Sequence, residues 1–297
     1  MSADGRGDRA VDAFVTHRNL LFTVAYEMLG SAADAEDVLQ ETWLRWADAD
    51  LSTVRDQRAY LVRITTRQSL NRLRAVGRRR ESYVGSWLPE PLLTAPDVAD
   101  DVELAESVSM AMLLVLETLA PTERAVFVLR EVFDLGYDEI AEAVDKSSAA
   151  VRQIAHRARA HVAARRPRGM VSPAETRRAL TAFRLAVETG DVQGLLDVLA
   201  PDVVLLGDGG GIKQAVLRPV AGADKVARLL CSTHGRTATM SLHPAQVNGH
   251  PALVLRLDGA VDTVLALRID DGLISGVYAV RNPEKLSHMR SETALRR

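Results

Sequence analysis

The hydrophobic periodicity of this chain changes once, and that change decides its fold class. Up to about residue 166 apolar residues recur at helical spacing. After Pro201 they come instead in short β-rich runs: VVLLG, TATMSL, PALVLRL, TVLALRI and LISGVYAV. Asn248-Gly249, Asp258-Gly259 and Asp271-Gly272 separate the later runs, and such pairs supply the positive φ of two-residue hairpin turns. Helices followed by a curved antiparallel sheet predict a multidomain chain, with two all-α domains ahead of an α+β domain.

The helical part divides at a stretch of unusual composition. Residues 10–82 form the first helical domain, 104–168 the second, and 83–103 the connection, while 172–290 form the α+β domain. The connection carries SWLPEPL, with Trp87 between glycine and proline and only Glu90 charged. A flexible tether is Gly, Ser and charge; this one is apolar and stiff. Burying a tryptophan face is worth about 2–3 kcal/mol, so docking on the C-terminal domain is one expectation and local packing on the first domain the alternative.

Start and stop signals place the helices. Gly30 can end the first in a left-handed conformation, Ser31 caps the next, and Asp34 stands at the capping-box position. In DAEDVLQETWLRW, Leu39, Trp43 and Trp46 share a face. Pro121 fits a first helical turn, and Ser172-Pro173-Ala174-Glu175 is a helix start. Asp145-Lys146-Ser147-Ser148 reads as a tight turn between two short helices. The second of these has Val151, Ile154, Ala155, Ala158 and Val162 on one face and Arg152, Gln153, His156, Arg157 and Arg159 mainly outside it. That is a helix-turn-helix pattern.

The net charge of −2 hides a segregated distribution. Nine arginines and one acid lie between Arg55 and Arg80, and six arginines, two histidines and no acid between Arg152 and Arg168, whereas residues 31–50 are acidic. Two basic blocks at helical spacing suit a polyanion. Arg and Gln match guanine and adenine edges, other arginines match phosphates, and Tyr60, Asn71 and Tyr83 are candidate contacts to unstacked bases.

Other chemistry finds less support. The lone Cys231 permits no intramolecular disulfide and fits a reducing compartment. No apolar run reaches about 18 residues, and MSADGRGDRA lacks the core of a signal peptide, so a cytoplasmic protein without a membrane partner is expected. Asp202, Asp208, His234, His243, Asp262 and Tyr278 are the candidates for acid–base chemistry, but their spacing singles out no pair. No metal-ligand spacing occurs, so no metal or cofactor is expected.

DAEDVLQETWLRW closely resembles the core-polymerase-binding helix in region 2 of bacterial sigma factors. QRAYLVRITTRQSLNRLRA resembles the following segment that engages the minus-10 element, and LAPTERAVFVLREVFDLGYDEIAEAVDKSSAAVRQIAHRARAHV resembles region 4, the minus-35 reader. Without a region 3 between them, this is similar to the extracytoplasmic-function (ECF) type. One ECF group adds a cone-shaped SnoaL-like domain (nuclear transport factor 2-like fold) and the motifs W-L-P-E-P, D-G-G-G-K and N-P-D-K-L. Here these are matched by Trp87-Leu88-Pro89-Glu90-Pro91, Asp208-Gly209-Gly210-Gly211-Ile212-Lys213 and Asn282-Pro283-Glu284-Lys285-Leu286. Ile212 displaces the lysine by one place, and Glu284 replaces aspartate.

The resemblance implies a non-enzymatic promoter-directing factor modulated in cis by its C-terminal domain. Asp37, Gln40, Glu41, Trp43 and Leu44 would dock core RNA polymerase. Arg63, Arg67, Asn71, Arg72 and Arg74 would engage the opened minus-10 strand, and Ser147, Arg152, Gln153, His156, Arg157 and Arg159 the minus-35 duplex. The three motifs, with Lys213, Lys285 and Leu286, would form the regulatory interface. A monomer is expected for the free chain. The other readings are a C-terminal domain that is an enzyme or a sensor of an unknown small ligand, and a helix-turn-helix repressor.

Overall fold

A computed structural model describes residues 3–80, 83–95, 98, 101–165, 172–232, 240–289 and 291–297. Arg166, Arg168, His234, Pro96 and the TAT of TATMSL lie outside the described residues, as do the side chains of Arg78 to Arg80.

The first domain packs α1 (Ala3–Leu29), α2 (Ala32–Ala47) and α3 (Gln57–Arg80). Gly30 ends α1 at φ +67°, and the Ser31 hydroxyl accepts from the Asp34 N–H. Of the shared α2 face, Leu39 and Trp46 are buried, and Trp43 is half-buried with its ring 5.3 Å from Phe14. Tyr60 packs 5.7 Å from Trp46, so it belongs to the core edge. The second domain runs α4 (Val102–Val108), α5 (Met110–Leu116), α6 (Pro121–Phe127), a π-helical turn (Val128–Val132), α7 (Tyr137–Val144) and α8 (Ser148–Ala163). Ser147 caps α8 by accepting from the Ala150 N–H. One buried cluster runs through both helical domains, joining Leu21, Met28 and Leu61 to Leu113, Val128 and Val151.

The C-terminal domain holds α9 (Pro173–Thr189), α10 (Val192–Val198), β1 (Leu199–Asp208), β2 (Val220–Ala221), α11 (Ala223–Cys231), β3 (Met240–Val247), β4 (His250–Leu257), β5 (Ala260–Asp270) and β6 (Leu273–Val280). Its strands make one six-stranded sheet ordered β2-β1-β6-β5-β4-β3. Two expectations need correction. The sheet is mixed, because β1 returns beside β6 in parallel register. And α11 interrupts the strands after Pro201: Val226 and Ala227 bury one side of this short helix against the core.

The two faces of the sheet have different tasks. Leu205, Leu242, Leu253, Leu265 and Val277 pack with Phe183 and Leu195 into the domain's own core. Val254, Val264, Ala266, Tyr278 and Val280 share a separate buried cluster with Leu88 of the connection and Met110 of α5. The sheet is therefore the platform on which the helical part rests.

Candidate functional site

The connection is an extended strap threaded between all three domains. Leu88, Pro89, Glu90, Pro91 and Leu92 are buried. Leu93 bridges Val247 at the end of β3, and the Thr94 N–H donates to the Gln246 carbonyl (3.0 Å).

Trp87 touches both sides. The Lys285 Nζ lies 4.1 Å from its ring, and the close approach of its Cη2 to Gly30 leaves no room there for a side chain. Lys285 is itself buried and donates to the Leu88 carbonyl (2.5 Å) and the Asp208 carboxylate (2.7 Å). Asp208 is fully buried. It also accepts from the Tyr83 hydroxyl (2.6 Å), the Leu88 N–H (2.9 Å) and the Gly210 N–H (3.0 Å). Burial and the Asp208 carboxylate push the Tyr83 phenol well up, so it remains a donor. Asn282 donates to the Tyr83 oxygen (3.0 Å), and its own N–H and that of Arg281 reach the Asp208 carbonyl. Leu286 is buried, while Pro283 and Gly211 are exposed.

Lys213 takes a different carboxylate. Its Nζ lies 2.7 Å from Asp262, which Arg281 also pairs (2.9 Å). Burial raises the Asp262 carboxyl, but Lys213, Thr263 and Arg281 outweigh it and hold it below its usual range. Lys285, from the third motif, is the cation on Asp208.

Glu90 connects the strap to α2. Its Oε2 accepts from the Ala32 N–H (2.8 Å), the Ala33 N–H (3.4 Å) and the Ser31 hydroxyl (3.2 Å). A carboxylate there satisfies open helical donors and meets the positive end of the dipole. Oε1 faces His288 Nδ1 at 2.5 Å. Glu90 thus brings an acid to the start of α2 from elsewhere in the chain, while Asp34 turns to Arg72 (2.8 Å). One turn earlier, the Tyr26 hydroxyl donates to the Glu90 carbonyl (2.6 Å) and accepts from Asn248 (2.6 Å). Asn248 also accepts from the Leu92 N–H and donates to the Val108 carbonyl, both at 2.9 Å.

The polymerase-docking candidates Asp37, Gln40, Glu41 and Leu44 lie along one exposed side of α2, with Leu44 64% exposed. Trp43 stands inward of them. Two of the acids are engaged by α3: Arg72 holds Asp37 at 2.6 Å and Gln68 donates to Glu41 at 2.9 Å.

The minus-10 candidates on α3 do not share one environment. Arg63 donates to the Glu142 carboxylate (2.9 Å) and Arg67 to the Glu142 carbonyl (2.8 Å), so both reach α7 of the second domain. Arg72 spans Asp34 and Asp37. Asn71 and Arg74 are exposed. On α8, Arg152, Gln153, His156 and Arg157 line a shallow groove of about 400 Å³. The Arg152 guanidinium lies 5.5 Å from the Tyr137 ring. Arg159 points elsewhere, to Glu131 and the Tyr137 hydroxyl, both at 2.9 Å.

Asp208 and Asp262 are each occupied by cations of the chain, and Asp202 and His243 are exposed. Among the described residues no group of three His, Cys, Asp or Glu side chains could hold a metal ion, and no helix is long and apolar enough to cross a membrane.

Sequence reasoning missed Tyr26, Glu27, Arg124, Glu142 and His288. Glu27 and Arg124 are buried where α1 meets the second domain. Ser107 donates to Glu27 (2.8 Å), while Arg124 donates to the Glu27 carbonyl (2.9 Å) and pairs with Glu117. A charged residue inside an apolar stretch was the signal for Glu27, whereas Arg124 follows Thr122-Glu123 and carried none.

An acid-faced helix lies beside an arginine-lined one, and a helix-turn-helix with a basic second helix follows, an arrangement suited to a polyanion. Residues 13–79 match sigma-70 region 2 and residues 109–162 match sigma-70 region 4. The chain is 36% identical over 292 residues to the ECF RNA polymerase sigma factor SigJ of Mycobacterium tuberculosis (strain ATCC 25618 / H37Rv), covering 93% of each. It is 35% identical over 283 residues to the probable ECF RNA polymerase sigma factor SigI of the same strain, covering 94% of this chain and 96% of that one. The crystal structure of M. tuberculosis SigJ superposes with a TM-score of 0.74 at 32% identity, covering 94% of this chain and 98% of that one. This chain belongs to the ECF RNA polymerase sigma factors, which direct RNA polymerase to promoters for transcription initiation.

Proposed function

We propose that the C-terminal domain modulates this sigma factor in cis by holding regions 2 and 4 together through the strap. The observation that carries the reading is the engagement of Arg63 and Arg67 by Glu142: two groups suited to the minus-10 strand are spent on region 4. Asp208, Lys285, Trp87 and Glu90 would form the clasp, and release of region 4 would free α3. The α2 side bearing Asp37, Gln40, Glu41 and Leu44 would meet core polymerase in the released form.

Gly249 offers a test in the full chain. It sits at φ +71°, and a Cβ there would lie 2.7 Å from the Ala105 Cα, where the hairpin presses on α4. Backbone cannot yield as a flexible side chain would, so Gly249→Ala strains the docked state by about 1–3 kcal/mol. A shift of that size raises apparent affinity for core polymerase roughly 5–150-fold, measured by co-elution and titration against the intact chain. Unchanged or weaker binding would make the domain part of the active assembly and sink the restraint reading.

Arg152, Gln153, His156 and Arg157 would read the minus-35 duplex. Arg152→Ala should then weaken binding to the promoter by about 1–3 kcal/mol while sparing random duplex. An equal loss on both would reduce Arg152 to a phosphate contact.

A further inference from the structure

Residues 293–297 touch the strap, α1 and the start of α4. The Thr293 N–H donates to the Leu93 carbonyl of the strap (2.7 Å), and Thr293 bridges Thr94 in parallel register. Leu295 is 4% exposed and belongs to the same buried cluster as Leu20, Leu104 and Val108. The Arg296 N–H donates to the Thr23 hydroxyl of α1 (3.0 Å). The Arg297 guanidinium pairs with Asp101 at 2.9 Å and with Glu103, at the start of α4.

We infer that the surface between α1 and the start of α4 is a docking site for a short peptide in which an aliphatic residue stands two places before an arginine. Residues 293–297 of the chain are its occupant. Leu295 supplies the apolar anchor, and among the described residues beyond 165 it alone joins the buried cluster of the helical domains. Two carboxylates on one guanidinium fix the basic end, and two main-chain bonds set the direction of the segment. Because the segment is tethered, its local concentration exceeds that of any free competitor. A basic peptide of another protein enters only when the segment leaves. The segment meets the strap at Leu93 and Thr94; amide exchange and peptide binding test this docking, whereas polymerase binding tests the restraint reading.

The test uses the full chain and its Leu295→Asp and Arg297→Glu variants. Hydrogen exchange at the Thr293 and Arg296 amides should quicken at least about tenfold in both variants relative to the intact chain. A labelled Ser-Glu-Thr-Ala-Leu-Arg-Arg peptide, followed by fluorescence anisotropy, should bind the Leu295→Asp chain at least about tenfold more tightly than the intact one. Adding Asp101→Arg and Glu103→Arg to Arg297→Glu should return the two amides toward their original protection. Equal exchange rates in the intact chain and Arg297→Glu, failure of the charge swap, or equal peptide binding to both chains overturns the inference.

Discussion

Asp208→Ala is expected to release the strap and to cost about 3–5 kcal/mol, the usual penalty for removing one partner of a buried ion pair. Asp208 is fully buried, and four donors converge on its carboxylate: Tyr83, Leu88, Gly210 and Lys285. The Lys285 ammonium is the decisive one. It sits against the Trp87 and Tyr83 rings and also donates to the Leu88 carbonyl, and burying a cation without its carboxylate is costly. Asp208→Asn keeps the shape and part of the acceptor set, so it should cost less. Asp208→Ala with Lys285→Met removes both charges and should recover much of the loss. Urea titrations read the stability, and acrylamide quenching reads how far Trp87 is exposed. A loss under about 0.5 kcal/mol, the scale of ordinary surface substitutions, with unchanged quenching would show that the strap is held by its apolar contacts alone.

What the sequence disclosed and what it withheld follow from the range of the interactions. Leu39, Trp46 and the α8 stripe were legible because burial repeats within a helix, where neighbours three and four residues apart share a face. Asn248 was legible only as a turn residue. Its φ of +54° fits that reading, but its amide is spent on Tyr26, Leu92 and Val108, and no local spacing encodes partners so distant. Ser31 and Asp34 suggested a self-contained cap, yet the acid at the α2 terminus is Glu90, brought there by the fold. The parallel β1–β6 pair escaped for the same reason, since hairpin signals describe only adjacent strands. The basic face of α3 was visible as charge, but its engagement by Glu142 needed both helical domains in place.

Raising the pH from about 5 to about 8 is expected to loosen the packing of α1 against the second domain through Glu27. Its carboxyl is fully buried; Oε1 accepts from Ser107, and Oε2 has no hydrogen-bond partner. Burial pushes this carboxyl up to about 8, against the opposing pull of Ser107 and Arg124. In the unfolded chain it titrates near its ordinary 4.5. Between those values the folded chain binds the proton and the unfolded chain does not, so stability falls as pH rises. The contribution is fully present below about 4.5 and is lost as pH rises toward about 8, by at most about 1.4 kcal/mol per pH unit. Glu27→Gln removes the titration while keeping the shape. Its buried amide carries a constant cost, so the informative quantity is the slope and not the offset. Urea midpoints from pH 5 to pH 8 should fall more steeply for the intact chain than for the variant, the difference amounting to several kcal/mol at most. Parallel curves would mean that Glu27 is already ionised in the fold. Because Ser107 and Arg124 belong to the second domain, the same protonation also favours the arrangement in which Glu142 engages Arg63 and Arg67. A more alkaline medium should therefore shift the intact chain, but not Glu27→Gln, toward core polymerase binding.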